Sequence, residues 1–141
     1  MLIDTHCHLD VADFDLDRDQ VLTEARAAGV GRILVPAIHA AGWQGLISLC
    51  QREAGLFPAL GLHPVFLEWH QAGDLIELAR LIATVRPVAI GEIGLDFFLP
   101  DLDRSRQQAL FEEQLTLAVS ANLPVVIHAR KSHDAVIGCL R

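Results

Sequence analysis

The sequence predicts an α/β fold built on a parallel sheet, and three observations carry that expectation. Short apolar runs rich in β-formers alternate with longer helical patterns, the mark of βαβ units. Five such units share 141 residues, about 28 residues each. Three of the five runs also end in histidine and a fourth in glutamate, placing these residues at the carboxyl ends of strands, where parallel α/β folds bind ligands. Spacing alone leaves two architectures. A doubly wound, flavodoxin-like sheet would be complete at this length, whereas a (β/α)8 TIM-barrel type would have only about five of its βα units present.

The expected strands are Leu2 to His8, Arg32 to Ala37, Phe57 to His63, Pro87 to Gly91 or Glu92, and Pro124 to His128. Between them, Asp17 is the expected N-cap of a first helix with the apolar stripe Val21, Leu22 and Ala25, ended by Gly29 in the left-handed conformation. Ala41 to Glu53 forms a second helix closed by Gly55. Asp74 caps a third, which carries Leu75, Leu78, Ala79 and Ile82 and cannot pass Pro87. Asp103 starts a fourth that buries Leu110, Phe111, Leu115 and Ala118, and Asp134 to Arg141 supplies a short fifth. No repeat, linker or low-complexity tract interrupts the pattern, so residues 1–141 read as a single domain.

With 52% hydrophobic and 21% charged residues, the chain has the apolar material for a core. A formal charge of −7 excludes a broad basic face that binds nucleic acid by phosphate neutralisation alone. Cys7, Cys50 and Cys139 are odd in number and lack a CxxC spacing, which suits a reducing, cytoplasmic setting. The sequence offers no basic n-region followed by an apolar stretch and no run of eighteen apolar residues, so neither a signal peptide nor membrane attachment is expected.

The strongest chemical signal is Asp4-Thr5-His6-Cys7-His8, where strand alternation turns His6 and His8 to one face. Two imidazoles held by a strand suit a divalent transition metal, although two polar strand-end residues would look the same. Asp4 shares their face, as a partner for a ligand histidine or as a structural aspartate. Cys7 points away and should pack under a helix. Glu92 emerges from the apolar run Val88-Ala89-Ile90-Gly91, where an unpaired carboxylate would be costly and a metal would neutralise it. Asp96, four residues on, serves either the site or its own loop. His128 ends the fifth strand with Arg130 on the same side, and His63 ends the third. His63 and Arg130 are best assigned to substrate oxyanions, with a local ion pair to Asp134 as the alternative for Arg130.

Other features carry less. His39, His70 and His133 lack spacing partners and should be solvated. The acidic run Asp10, Asp13, Asp15, Asp17 and Asp19 lacks the glycine and terminal glutamate of a calcium loop. Trp43 and Trp69 have no basic neighbours with which to form a stacking platform. No nucleophile elbow or Walker loop occurs.

Taken together, Ile3-Asp4-Thr5-His6-Cys7-His8, Gly61-Leu62-His63-Pro64, Gly91-Glu92-Ile93-Gly94-Leu95-Asp96 and Pro124-Val125-Val126-Ile127-His128 resemble the TatD family of metal-dependent hydrolases, in order and spacing. The resemblance implies a (β/α)8 barrel with a divalent-metal centre and a deoxyribonuclease or phosphoesterase activity. By position it implies His6 and His8 as ligands of one metal, Glu92 as the carboxylate shared between metals, His128 as a ligand of a second, and His63 in the phosphate pocket. Family members continue for about three more βα units with a further ligand histidine and a late aspartate. The chain therefore resembles the N-terminal portion of such a barrel, with two unpaired sheet edges that favour self-association.

The function this implies is hydrolysis of a phosphodiester in DNA or another phosphate ester, with two divalent ions (Mg2+, Mn2+ or Zn2+) about 3.5–4 Å apart activating water. Glu92 and His63 are the expected catalytic residues, His63 and Arg130 the substrate-binding ones, and His6, His8, Glu92 and His128 the metal ligands. Two rival readings are an amidohydrolase acting on C–N or ester bonds, since His-X-His on a first barrel strand also occurs there, and an inactive half-barrel.

Overall fold

Apolar, β-branched runs form five strands in the computed structural model, which describes residues 1–141: β1 (Leu2–Asp4), β2 (Val30–Pro36), β3 (Leu56–Leu60), β4 (Ala89–Asp96) and β5 (Val125–Arg130). All neighbours pair in parallel in the order β1-β2-β3-β4-β5. A flavodoxin-like sheet would reverse direction at its second strand; this sheet winds one way and curls into half a barrel. The helices α1 (Arg18–Ala27), α2 (Trp43–Arg52), α3 (Asp74–Val85), α4 (Arg104–Ala121) and α5 (His133–Cys139) follow successive strands.

Two apolar clusters hold the layers together. One joins Ile33, Val35 and Leu60 of the sheet to Leu22, Trp43, Leu46 and Leu78 of the helices, with Cys7 packed against it. The other joins Ile90, Ile93 and Leu95 of β4 to Phe111 and Ala118 of α4 and Val136 of α5. Trp43 is buried and satisfies its indole by donating to the Gly61 carbonyl at 3.1 Å.

Helix ends follow the expected chemistry in part. Asp103 caps α4, its Oδ1 accepting from the Arg106 N–H at 3.0 Å. Gly29 takes φ +92° just past α1. Asp17 occupies the N-cap position of α1 without a side-chain bond. Asp74 is the first residue of α3 rather than its cap, and its carboxylate accepts from the Gln71 N–H at 2.8 Å. The acidic loop before α1 is tied by Arg18, which donates to the Leu9 and Val11 carbonyls and to Asp15.

Three strand limits differ from expectation. β1 stops at Asp4 rather than His8, because Asp4 Oδ1 accepts from the His6 N–H at 2.9 Å and turns the backbone out of the ladder. β3 stops at Leu60, and His63 lies beyond it with its N–H on the Ile38 carbonyl at 2.9 Å. β4 continues past Glu92 to Asp96, every residue buried, after a register shift between Ile90 and Ile93. Gly94 permits this, since a Cβ there would strike the His128 carbonyl oxygen. The outer edges of β1 and β5 have no partner strand. No helix is long and apolar enough to cross a membrane.

Candidate metal centre

The centre draws on four strands: Glu92 lies within β4 and His128 within β5, while His6 and His8 follow β1 and His63 follows β3. Glu92 is 5% exposed on β4 and receives imidazoles from three directions. Its Oε2 lies 2.9 Å from His6 Nε2, 3.1 Å from His8 Nε2 and 3.5 Å from His63 Nε2. Its Oε1 lies 3.1 Å from His128 Nδ1. The two carboxylate oxygens thus face different histidines. Two groups have ligand atoms within 4.8 Å of one another, His6 with His8 and Glu92, and His63 with Glu92 and His128. Imidazole nitrogen and carboxylate oxygen are the donors that borderline divalent ions take, so the residues present fit a metal centre.

Hydrogen bonds on the far side of each ring decide what it presents to the centre. His8 Nδ1 lies 2.9 Å from the Pro36 carbonyl, which can only accept, so this nitrogen carries a proton and Nε2, turned to Glu92 at 3.1 Å, is the atom a metal would take in place of its proton. His128 Nε2 lies 2.9 Å from Asp96 Oδ2, so Nδ1, 3.1 Å from Glu92 Oε1, is the atom a metal would take in place of its proton. His63 is the opposite case. Its Nδ1 accepts from the Val65 N–H at 3.1 Å, so the neutral ring carries its proton on Nε2 and turns an N–H toward Glu92. Proximity would allow His63 to be a ligand, but its hydrogen bonding makes it a donor suited to an oxyanion.

The electrostatics centre on Glu92. Burial opposes its ionisation, but hydrogen bonds from His128, His63 and His8 hold its carboxyl far below the usual carboxylate range. The bond to Glu92 raises the His8 pKa against burial. Burial pushes His128 down, and its bonds to Glu92 and Asp96 outweigh this, so its pKa is raised. Asp96, fully buried, is lowered by His128 and by the Phe98 and Leu99 N–H groups, which bond its Oδ1 at 3.0 and 3.2 Å, again against burial. Asp96 therefore fixes both its loop and the His128 ring.

Arg130 stands outside the Glu92 cluster. Its guanidinium lies over the Phe98 ring, 3.7 Å from the centroid, rather than against Asp134. His70, expected in solvent, is buried, because its Nε2 donates to the His63 carbonyl at 2.8 Å. Trp69, for which no stacking platform was expected, is exposed with its ring 5.0 Å from Phe66 and 5.1 Å from His39. Sequence reasoning also passed over two glutamines. Gln114 brackets the Leu62 N–H and carbonyl at 2.7 and 3.2 Å, and Gln107 does the same for Asp96 at 2.7 and 3.0 Å. Their spacing of seven puts both on the buried face of α4, where a glutamine in the apolar stripe was the available signal.

Sequential parallel strands carrying a histidine and carboxylate cluster at their carboxyl rim define a barrel-type chain with a candidate metal centre. The chain belongs to the TatD related DNase family, whose model matches residues 3–141. It is 44% identical over 134 residues to YjjV of Escherichia coli, described as an uncharacterized metal-dependent hydrolase; the match covers 94% of this chain and 52% of that protein. It is 33% identical to the 3'-5' ssDNA/RNA exonuclease TatD of Erwinia tasmaniensis, over 99% of this chain and 54% of that one. The crystal structure of YjjV superposes with a TM-score of 0.94, covering 99% of this chain and 54% of that one at 42% identity. The chain thus spans about half the length of the curated relatives it matches.

Proposed function

We propose that residues 1–141 form one domain, the first part of a TatD-type barrel, and that it serves a metal-dependent phosphodiesterase acting on DNA or a related phosphate ester. The observation that carries this reading is the division of Glu92, with Oε2 toward His6 and His8 and Oε1 toward His128. One carboxylate so placed suits a position between two cations. His6, His8 and Glu92 would hold one and Glu92 and His128 the other, from among Mg2+, Mn2+ and Zn2+. When bound, such ions polarise phosphoryl oxygens and lower the pKa of water.

The remaining residues position substrate. His63 directs an Nε2–H at the centre for a phosphoryl oxygen. Arg130, braced on Phe98, offers its fork of donors to an adjacent phosphate at the rim. The name of the Erwinia relative supports a nucleic-acid substrate. Three free cysteines suit a reducing, cytoplasmic setting. Exposed Leu2 and Ile3 on the unpaired β1 edge favour self-association of this chain, which light scattering at rising concentration would reveal and a constant monomer would refute.

The test is nucleotide release from single-stranded DNA by the purified chain, with and without Mn2+, beside His8→Ala. Release that requires Mn2+ and is lost in the variant is expected; equal release by both proteins would contradict the reading. A parallel panel of amide and carboxyl-ester substrates should show no turnover, and turnover there would favour the amidohydrolase class.

A further inference from the structure

Beyond the Glu92 cluster, the segment Pro64–Trp69 carries a row of rings that the hydrolytic reading leaves unused. It consists of 3-10 turns that kink at Phe66, where φ is −98° and ψ 27°. Pro64, Leu67 and His70 are buried, and His70 ties the end of the segment to its start through the His63 carbonyl at 2.8 Å. His63, Phe66 and Trp69 run from the buried centre outward, His63 buried, Phe66 half-buried and Trp69 exposed. Their rings meet at steep angles, edge-on between His63 and Phe66 (centroids 5.6 Å apart, planes 72°) and tilted between Phe66 and Trp69 (5.0 Å, 54°). His39, from the loop after β2, braces Trp69 at 5.1 Å and Phe66 at 6.4 Å. The row starts 3.5 Å from Glu92 and ends on an indole that is 59% exposed.

We propose that Trp69 and Phe66 form a stacking site for one or two nucleobases of a single-stranded nucleic acid whose phosphate lies at the Glu92 centre. This rests on the nucleic-acid reading above and adds the part of the substrate that is gripped. The exposed Trp69 indole, held at an angle by Phe66 and His39, offers a face to a flat base, and bases along an unpaired strand are free to stack on it. The charge of −7 makes stacking the more suitable grip, because it does not depend on a basic track along the backbone. Stacking also tolerates any base sequence.

The experiment titrates the whole chain, with Mn2+, with phosphorothioate oligodeoxythymidylate and with an abasic oligonucleotide of equal length. Binding is followed by anisotropy of a dye on the oligonucleotide and by the fluorescence of Trp69, Trp43 being buried. Losing one stacked base should weaken binding about 5- to 150-fold. The thymidylate strand should therefore bind wild type more tightly than the abasic strand by that factor and quench the indole. Trp69→Ala, checked for folding by circular dichroism, should erase the difference between the strands, and Trp69→Phe should restore most of it. Equal binding of the two strands by wild type, or an unchanged difference in Trp69→Ala, overturns the proposal. If nothing is hydrolysed but the difference depends on Trp69, the stacking site stands and the hydrolase reading alone fails.

Discussion

Asp96 Oδ2 lies 2.9 Å from His128 Nε2, and the same carboxylate holds two backbone N–H groups of the following loop through Oδ1. The pair fixes which nitrogen of His128 faces Glu92. In Asp96→Asn the side-chain oxygen can keep the loop bonds, while the amide would donate to His128 Nε2 and move the ring proton to Nδ1. Metal affinity should fall about 10- to 100-fold with the fold retained. Nitrogen-15 shifts of the His128 ring in the metal-free protein, taken above its raised pKa where the ring is neutral, should report the changed tautomer. An unchanged tautomer and unchanged affinity would show that Asp96 serves only its loop.

The metal-free protein should show a stability optimum set by the Glu92 cluster. The carboxyl of Glu92 is depressed below its ordinary 4.5, so its contribution is present above that pH and is lost as acid approaches the lower folded value. His8 and His128 are raised above 6.5, so their contribution is present below that value and is lost as pH rises through their folded pKa values. Denaturant melts in chelator should therefore place the cluster's contribution highest at about pH 5.5, and Glu92→Gln should flatten the profile. Metal affinity should follow the opposite trend, increasing as alkali removes protons from His8 and His128. Identical pH profiles for wild type and Glu92→Gln would count against this assignment.

Gln114 is buried and brackets the Leu62 peptide next to His63. Gln114→Leu keeps the apolar volume and leaves a buried N–H and carbonyl without partners, at a cost of about 1–3 kcal/mol for each. Equilibrium unfolding should show the loss, while Gln108→Leu, at an exposed position of the same helix, should change stability by less than about 0.5 kcal/mol. Equal effects of the two substitutions would mean that the bracket contributes little.

Gly94 adopts φ +142°, and a Cβ there would collide with the His128 carbonyl across the β4 and β5 pairing. Gly94→Ala should destabilise the chain more than Gly45→Ala, an open position on α2, as read by thermal unfolding. Comparable midpoints would show that the strands can separate at little cost.

Much of this arrangement was legible because apolar runs end in the polar residues that matter. Glu92 and His128 lie on strands whose burial the sequence displays, and period-two alternation brought His6 and His8 together even though β1 ends before either. The shortened β1 was hidden because a side chain, Asp4, interrupts the ladder through a bond to the His6 backbone. The length of β4 was hidden because glycines at 91 and 94 look like breakers, whereas here they let β5 approach closely. His70 was misread because its burial comes from a hydrogen bond back to the His63 carbonyl across irregular 3-10 turns, which neither strand nor α-helical periods reveal. Spacing alone left barrel and doubly wound sheet open; the four motifs in register favoured the barrel, and the strand order bears this out.

Anomalous diffraction from crystals grown with Mn2+ examines the sharing of Glu92 most directly. Two peaks are expected, one against His6, His8 and Glu92 and the other against Glu92 and His128, with His63 turned toward solvent or anion rather than metal. A single ion, or ions bound without Glu92 between them, would contradict the account.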